Sequence, residues 1–195
     1  MTEGRKTQAR KRKVAWGVTG GGDKLRETVE VMRRIKREYE NIVNIDVYLS
    51  KAGEQVARYY KLTDYLKQNF GRVTVEVGAN SPFLAGWLQT KKYEFLLIAP
   101  ATSNTVAKIS VGIGDTLLSN AAIMALKGYV PVYFMPTDYV EGAVHTVLPG
   151  DQGAVLKVRK EDVDNVRKLE GMENVFVLKK PEDIEGAFIK RFEHP

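Results

Sequence analysis

The chain contains no cysteine. Disulfides, thiolate nucleophiles, zinc ribbons and cysteine-ligated iron–sulfur clusters are thereby excluded together. Histidine is scarce as well, with only His145 and the penultimate His194 among 195 residues. Imidazole acid–base chemistry has little material, and no HExxH or clustered His/Asp/Glu spacing marks a metal site. His145 reads either as a strand-end surface residue or as a group with a part in chemistry. A Ser-His-Asp triad lacks its nucleophile elbow. No apolar run approaches the ~18 residues of a membrane span. None follows the basic N-terminus at signal-peptide distance either. These absences set the expectation of a cytoplasmic protein with no membrane attachment.

The composition that remains, 44% hydrophobic and 28% charged, is that of an ordinary globular chain. Its length suits one full core rather than two. The formal charge of +6 is unevenly placed. Residues 1–13 hold Arg5, Lys6, Arg10, Lys11, Arg12 and Lys13 against Glu3, a net of +5 that leaves +1 for the remainder. We therefore expect a basic, disordered tail over 1–13 and a single α/β domain over 14–195. Such a tail is either a solvated terminus or a contact for nucleic acid or an acidic partner. The near-neutral body argues against nucleic acid as the main ligand.

Strands are predicted at Val14–Val18, Ile45–Leu49, Phe95–Ala99 and Val130–Met135, and at Val73–Val77, where apolar and polar residues alternate. Between them lie helical patterns. Leu25, Val29, Met32, Ile35 and Tyr39 share one face of a helix over Asp23–Tyr39. Shorter helices are predicted at Glu54–Tyr60 and Thr63–Asn69. Another starts at Ser81-Pro82, with serine as cap and proline in the first turn. Further patterns cover Thr105–Ile109 and Asp115–Lys127, broken by Gly112 and Gly114 and stopped at Gly128. Strands alternating with helices imply a doubly wound, mainly parallel, Rossmann-like sheet with helices on both faces. Residues 138–195 are expected to form a less regular extension packed on that domain. It holds short strands at His145–Leu148 and Ala154–Val158 around Pro149-Gly150. A helix at Lys160–Leu169, a strand at Val175–Leu178 and a helix at Pro181–Phe192 follow.

Chemistry concentrates where predicted strands end. The apolar run to Ala99 meets Pro100, which has no N–H for the ladder, and opens into Ala101, Thr102, Ser103, Asn104 and Thr105. In open α/β sheets the carboxyl ends of strands bind ligands. Short hydroxyl and amide side chains suit a planar ligand with polar edges. The first strand ends in Thr19-Gly20-Gly21-Gly22-Asp23, either a phosphate cradle at a helix start or a flexible turn. It is neither a Walker sequence nor the GxGxxG fingerprint. Asp23 would repel a phosphate unless it turned away as a cap. Ser50 follows the second strand, as a helix cap or as a ligand contact. Trp16, Trp87, Tyr129, Tyr133 and Phe134 read as core or as stacking partners.

At these residues the chain resembles the homo-oligomeric flavin-containing cysteine decarboxylases, a superfamily that includes the flavin prenyltransferases. Phe95 to Lys108, continuing through Gly112-Ile113-Gly114-Asp115-Thr116-Leu117-Leu118, is similar to its apolar strand, Pro-Ala-Ser/Thr-x-Asn-Thr and Gly-x-x-Asp-x-Leu-Leu. The Thr19-Gly20-Gly21 turn and Leu49-Ser50-Lys51-Ala52 fit its other flavin-contact segments. The resemblance covers about residues 14–137. It implies FMN, with phosphate at Gly20, Gly21 and Ser50, isoalloxazine along Ala101 to Asn104, and Met135 nearby. The decarboxylases' histidine falls near Gly86 and Trp87, where none is present. Their later cysteine is missing too, and Met135-Pro136-Thr137-Asp138 lacks the asparagine that clamps a substrate carboxylate. A closer similarity is to the archaeal branch, the archaeoflavoproteins and dihydromethanopterin reductases (acceptor). The Gly20-Gly21-Gly22 turn, Val111–Asp115 and Val158–Leu169 carry it. That branch implies an FMN-dependent oxidoreductase fed by a ferredoxin-like donor and serving a small-molecule acceptor, in a homo-oligomer built of trimers. The alternatives are a flavin prenyltransferase or decarboxylase, or a non-enzymatic electron carrier.

Overall fold

The computed structural model describes residues 10–148 and 152–193. Its first half runs β1 (Arg12–Val18), α1 (Leu25–Glu38), β2 (Val43–Leu49), α2 (Lys51–Tyr59), α3 (Thr63–Asn69) and β3 (Arg72–Val75). It continues with α4 (Leu84–Gln89), β4 (Leu96–Ala101), α5 (Ser103–Ser110), α6 (Leu117–Lys127) and β5 (Val132–Pro136). The last part holds β6 (Gly142–Leu148), β7 (Gln152–Val158), α7 (Lys160–Glu170), β8 (Val175–Val177) and α8 (Asp183–Phe192).

Six strands form one sheet in the order β3-β2-β1-β4-β5-β8, and every pairing is parallel. The doubly wound architecture is as the sequence implies. Central strands read as unbroken apolar runs because helices cover both faces; all six residues of β4 are buried. Alternation in β1 divides the core. Val14, Trp16 and Val18 face the cluster holding Met32, Ile35 and Phe188, while Ala15 faces the one holding Leu118 and Ile98. Gly17 has a specific reason to be glycine. A Cβ there would lie 2.7 Å from Leu118 Cδ2, so its absence lets α6 close onto β1.

Several boundaries differ from the sequence reading. β1 starts at Arg12, so Arg12 and Lys13 are strand residues rather than tail. Each is held by a carboxylate, Arg12 by Glu94 at 2.7 Å and Lys13 by Asp46 at 3.5 Å. Residues 1–9 lie outside the described part. α1 begins at Leu25 because Lys24 takes a left-handed conformation, φ 57°, ahead of it. Ser81 is not a helix cap. Its N–H and C=O are committed to a reverse turn with Val77 and Gly78, and α4 starts only at Leu84. Gly128 does stop α6.

The segment from 138 onward is more regular than expected. β6 and β7 form a long antiparallel hairpin; its turn at Pro149-Gly150 lies outside the described residues. β8 completes the sheet beside β5, and Ile184, Ala187 and Phe188 of α8 enter the core beside Ile35 of α1. Among the described residues no helix is long and apolar enough to cross a membrane.

Candidate functional site

The strand order reverses between β1 and β4, which places a crevice at their carboxyl ends. Hydrogen bonds knit four strand ends together there. The Thr19 hydroxyl donates to the Pro100 carbonyl at 2.7 Å and accepts from the Thr102 N–H at 2.9 Å. The Thr19 N–H reaches the same carbonyl at 3.2 Å. Ser50 N–H donates to Val18 O at 3.0 Å, and Thr137 N–H to Ala101 O at 3.0 Å.

Over this floor the glycine turn is packed too tightly for side chains. A Cβ would meet Ala52 Cβ at 2.8 Å from Gly20, Thr137 Cγ2 at 2.7 Å from Gly21, and Tyr60 Oη at 2.8 Å from Gly22. Among the described residues the N–H groups of these glycines have no hydrogen-bond acceptor. Unpaired donors on a bare backbone suit an anionic group, and this is the feature by which the turn fits a phosphate. Asp23 does not cap α1; it stands exposed at the rim.

The turn forms one wall of a cleft of about 570 Å³. α2 supplies Gln55, Val56 and Tyr59, and its C-cap supplies Tyr60. Thr137 and Asp138 come from the end of β5, and Val144, Thr146, Leu156 and Val158 from the hairpin. The lining is mostly apolar and aromatic, with a few polar groups, as in small-molecule sites.

The residues anticipated from sequence are placed unevenly. Gly20, Gly21 and Gly22 line the cleft. Thr102 lies beside Gly21, its Cγ2 3.5 Å from where a Gly21 Cβ would stand. The Ser103 hydroxyl donates to the Asp138 carboxylate. Asn104 is exposed on the first turn of α5, and its side chain makes no hydrogen bond among the described residues. Thr105 is buried, its hydroxyl 3.3 Å from that of Thr102. Thr19 is 1% exposed and its hydroxyl is occupied in joining β1 to β4. Ala101 and Met135 are wholly buried, and Met135 belongs to the core rather than to the cleft lining. Ser50 is the cap of α2, its oxygen accepting from Gly53 N–H at 2.9 Å.

The Gly-x-x-Asp-x-Leu-Leu stretch serves the framework. Gly112 has φ +79°, Asp115 pairs with Lys108 at 2.9 Å, and Thr116 and Ser119 cap α6 reciprocally. Glu76, at the tip of β3, accepts from the first N–H of α2 (Lys51, 3.2 Å) and of α6 (Leu117, 2.9 Å). One carboxylate thus satisfies two helix N-termini that flank the crevice.

Sequence reasoning missed Gly53, Tyr59, Tyr60, Thr137, Asp138 and the hairpin side chains. Gly53 had a detectable signal, a glycine three residues after the strand-end serine. Its Cβ would fall 2.3 Å from the Val18 carbonyl oxygen.

At the opposite ends of the strands a second groove, about 560 Å³, is lined by Arg10 through Lys13, Arg72, Lys91 and Lys92. Beneath it Tyr48, Tyr93 and Asp46 form a buried chain, with Tyr48 to Tyr93 at 2.6 Å and Tyr93 to Asp46 at 2.8 Å. Burial pushes both phenols above their ordinary range. β1, seven residues long, separates the two hollows by roughly 20 Å at ~3.3 Å per residue. His145 sits on β6, exposed; His194 lies outside the described residues. No group of three or more His, Asp or Glu among the described residues is arranged to hold a metal ion.

Comparison with known proteins agrees with this geometry. The Flavoprotein family profile matches residues 3–150. An uncharacterized protein of Methanocaldococcus jannaschii is 50% identical over 93% of this chain and 96% of its own. The dihydromethanopterin reductase (acceptor) of the same organism is 32% identical, covering 88% of this chain and 94% of its own. Among solved structures, Burkholderia xenovorans DmrB in complex with FMN, described as a cubic protein cage for redox transfer, superimposes with a TM-score of 0.80. It is 30% identical and covers 95% of this chain and 98% of its own. On its sequence match, its strand order and its glycine cradle at the switch point, this chain belongs to the Flavoprotein family.

Proposed function

We propose that this chain is an FMN-dependent redox protein. It takes electrons from a ferredoxin-like iron–sulfur donor and passes them to a soluble acceptor, with dihydromethanopterin the leading candidate. The observation that carries the FMN reading is the turn of Gly20, Gly21 and Gly22. Among the described residues its N–H groups have no acceptor, and a Cβ on any of the three would come within 3 Å of Ala52, Thr137 or Tyr60. These donors would hold the phosphate, with Ser50 at the start of α2 beside them. Thr102, Ser103 and Asn104 would meet the polar edge of the ring.

When bound, FMN supplies the one- and two-electron chemistry, and the protein positions and tunes it. The chain's own residues match that division of labour. α4, where the related decarboxylases carry their histidine, reads Leu-Ala-Gly-Trp-Leu-Gln and offers no proton-transferring group. With no cysteine in the chain, a thiolate-ligated cluster must reside in a separate donor. The DmrB and dihydromethanopterin reductase relatives favour the redox reading over prenyl transfer.

A homo-oligomer built of trimers is part of this proposal. Val77, Phe83, Val111 and Ile113 are 47–73% exposed. They lie on loops brought together around Asn120, whose amide donates to Ala79 O at 3.1 Å and to the Asn80 side chain at 2.9 Å. Large apolar side chains gathered in this way mark a contact surface. A cytoplasmic location accords with the cysteine-free composition.

Reconstitution tests the reading. Purified protein incubated with FMN should acquire flavin absorbance bands, and ferredoxin-linked reduction should bleach them. Absence of flavin uptake would remove the proposal.

A further inference from the structure

Among the described residues the cleft is lined by two carboxylates, exposed Asp23 and half-buried Asp138, and the two oxygens of Asp138 are treated differently. Oδ2 accepts from the Ser103 hydroxyl and from the Thr137 hydroxyl, the latter at 2.9 Å. Oδ1 accepts nothing among the described residues. Two donors on one oxygen fix the plane of the carboxylate and leave the other oxygen open.

Among the described residues no lysine, arginine or histidine lines this cleft, and Asp23 adds a second negative charge at its rim. The guanidinium of Arg159, which follows β7, is committed to Asp162 at 2.6 and 2.9 Å and reaches Asp138 only through its field, not by contact. A carboxylate with one oxygen unbonded and no ion pair in contact calls for N–H donors from the ligand. An anionic group placed there would be repelled. Tyr60, Val144 and Leu156 line the same cleft and give it apolar surface that suits a flat ring.

We infer that Asp138 sets acceptor specificity by receiving the adjacent N–H groups of a 2-amino-4-oxopyrimidine edge, the edge that pterins present. This rests on the flavin redox reading above and names the substrate class of the same cleft. The open Oδ1 has two lone pairs and can accept from the 2-amino group and the neighbouring ring N–H. A 2,4-dioxo ring of the same shape replaces the amino donor with a carbonyl, which would face the Asp138 oxygen with like polarity. A site built around buried hydrogen bonds rejects such an analogue strongly.

The test uses FMN-loaded protein and two probes, pterin and lumazine, which differ at this edge. Wild type should bind pterin about 10- to 100-fold more tightly than lumazine. Asp138→Asn should lose that preference while keeping full flavin absorbance. Equal binding of both probes by wild type, which requires no variant to fold, would overturn the inference. So would a preference retained by Asp138→Asn, or loss of FMN from it, which would assign the carboxylate to the flavin instead. Failure of wild type to take up FMN at all would be read from its spectrum, and it would refute the underlying redox reading separately.

Discussion

The Thr102 N–H donates to the Thr19 hydroxyl oxygen at 2.9 Å, across 83 residues of sequence. With the 2.7 Å bond from the same hydroxyl to Pro100 O, this clamps the ends of β1 and β4 under the glycine turn. Thr19→Val keeps the shape and removes both bonds. The Pro100 carbonyl retains the Thr19 N–H, but the Thr102 N–H loses its partner. The expected loss is about 1–3 kcal/mol, read as a lower urea midpoint at unchanged m. Thr19→Ser should recover most of it.

Gly53 and Gly186 are both glycines within helices, and alanine should act oppositely at the two. At Gly53 the new Cβ would meet a backbone oxygen at 2.3 Å. Relief requires α2 to move away from β1, so Gly53→Ala should destabilise by about 2 kcal/mol or more and loosen the cleft. At Gly186 nothing lies within 4 Å, and Gly186→Ala should stabilise by about 0.5–1 kcal/mol. Thermal unfolding of the two variants checks both signs.

Asn104 projects from the first turn of α5, its side chain without a hydrogen bond among the described residues. Asn104→Ala should leave folding stability within about 0.5 kcal/mol of wild type. On the flavin reading it should weaken FMN binding about three- to tenfold or shift the flavin midpoint potential. Full occupancy at an unaltered potential would take Asn104 out of the site.

Glu94 receives Arg12 at 2.7 Å and Arg191 at 2.6 Å, and these guanidinium groups hold its carboxyl below the usual range. A carboxyl lowered on folding contributes its stability fully above the ordinary carboxylate pKa, ~4.3. That contribution is lost as pH falls through the folded value. Glu94→Gln should cost about 0.5–1 kcal/mol at neutral pH, a size reduced by solvent screening. Its stability should fall less steeply than that of wild type below about pH 4. Equal slopes in acid denaturation would argue that the cluster is energetically silent.

The framework was legible where burial on both faces left a plain signature, as in the unbroken apolar runs of β1 and β4. The glycine turn was legible because a helix start without side chains has few uses. What escaped notice depended on contacts distant in sequence. Nothing local to Gly53 records that it rides on the Val18 carbonyl. Tyr59 and Tyr60 read as the end of an ordinary amphipathic helix until α2 is set beside the cradle. Asp138 entered the sequence reading only as the place of a missing asparagine; its setting depends on Ser103, 35 residues away, which joins its neighbour Thr137 on one oxygen. Thr19 and Ser50 were picked out by position at strand ends, and the structure places them in the joinery of that crevice.

The margins of the sheet are short, four residues in β3 and three in β8. So little bare ladder gives a neighbouring molecule scant purchase for adding a strand of its own. In the homo-oligomer proposed above, copies would therefore meet away from the margins of the six-stranded sheet, through helix flanks, loop tips or the seven-residue strands of the β6–β7 hairpin.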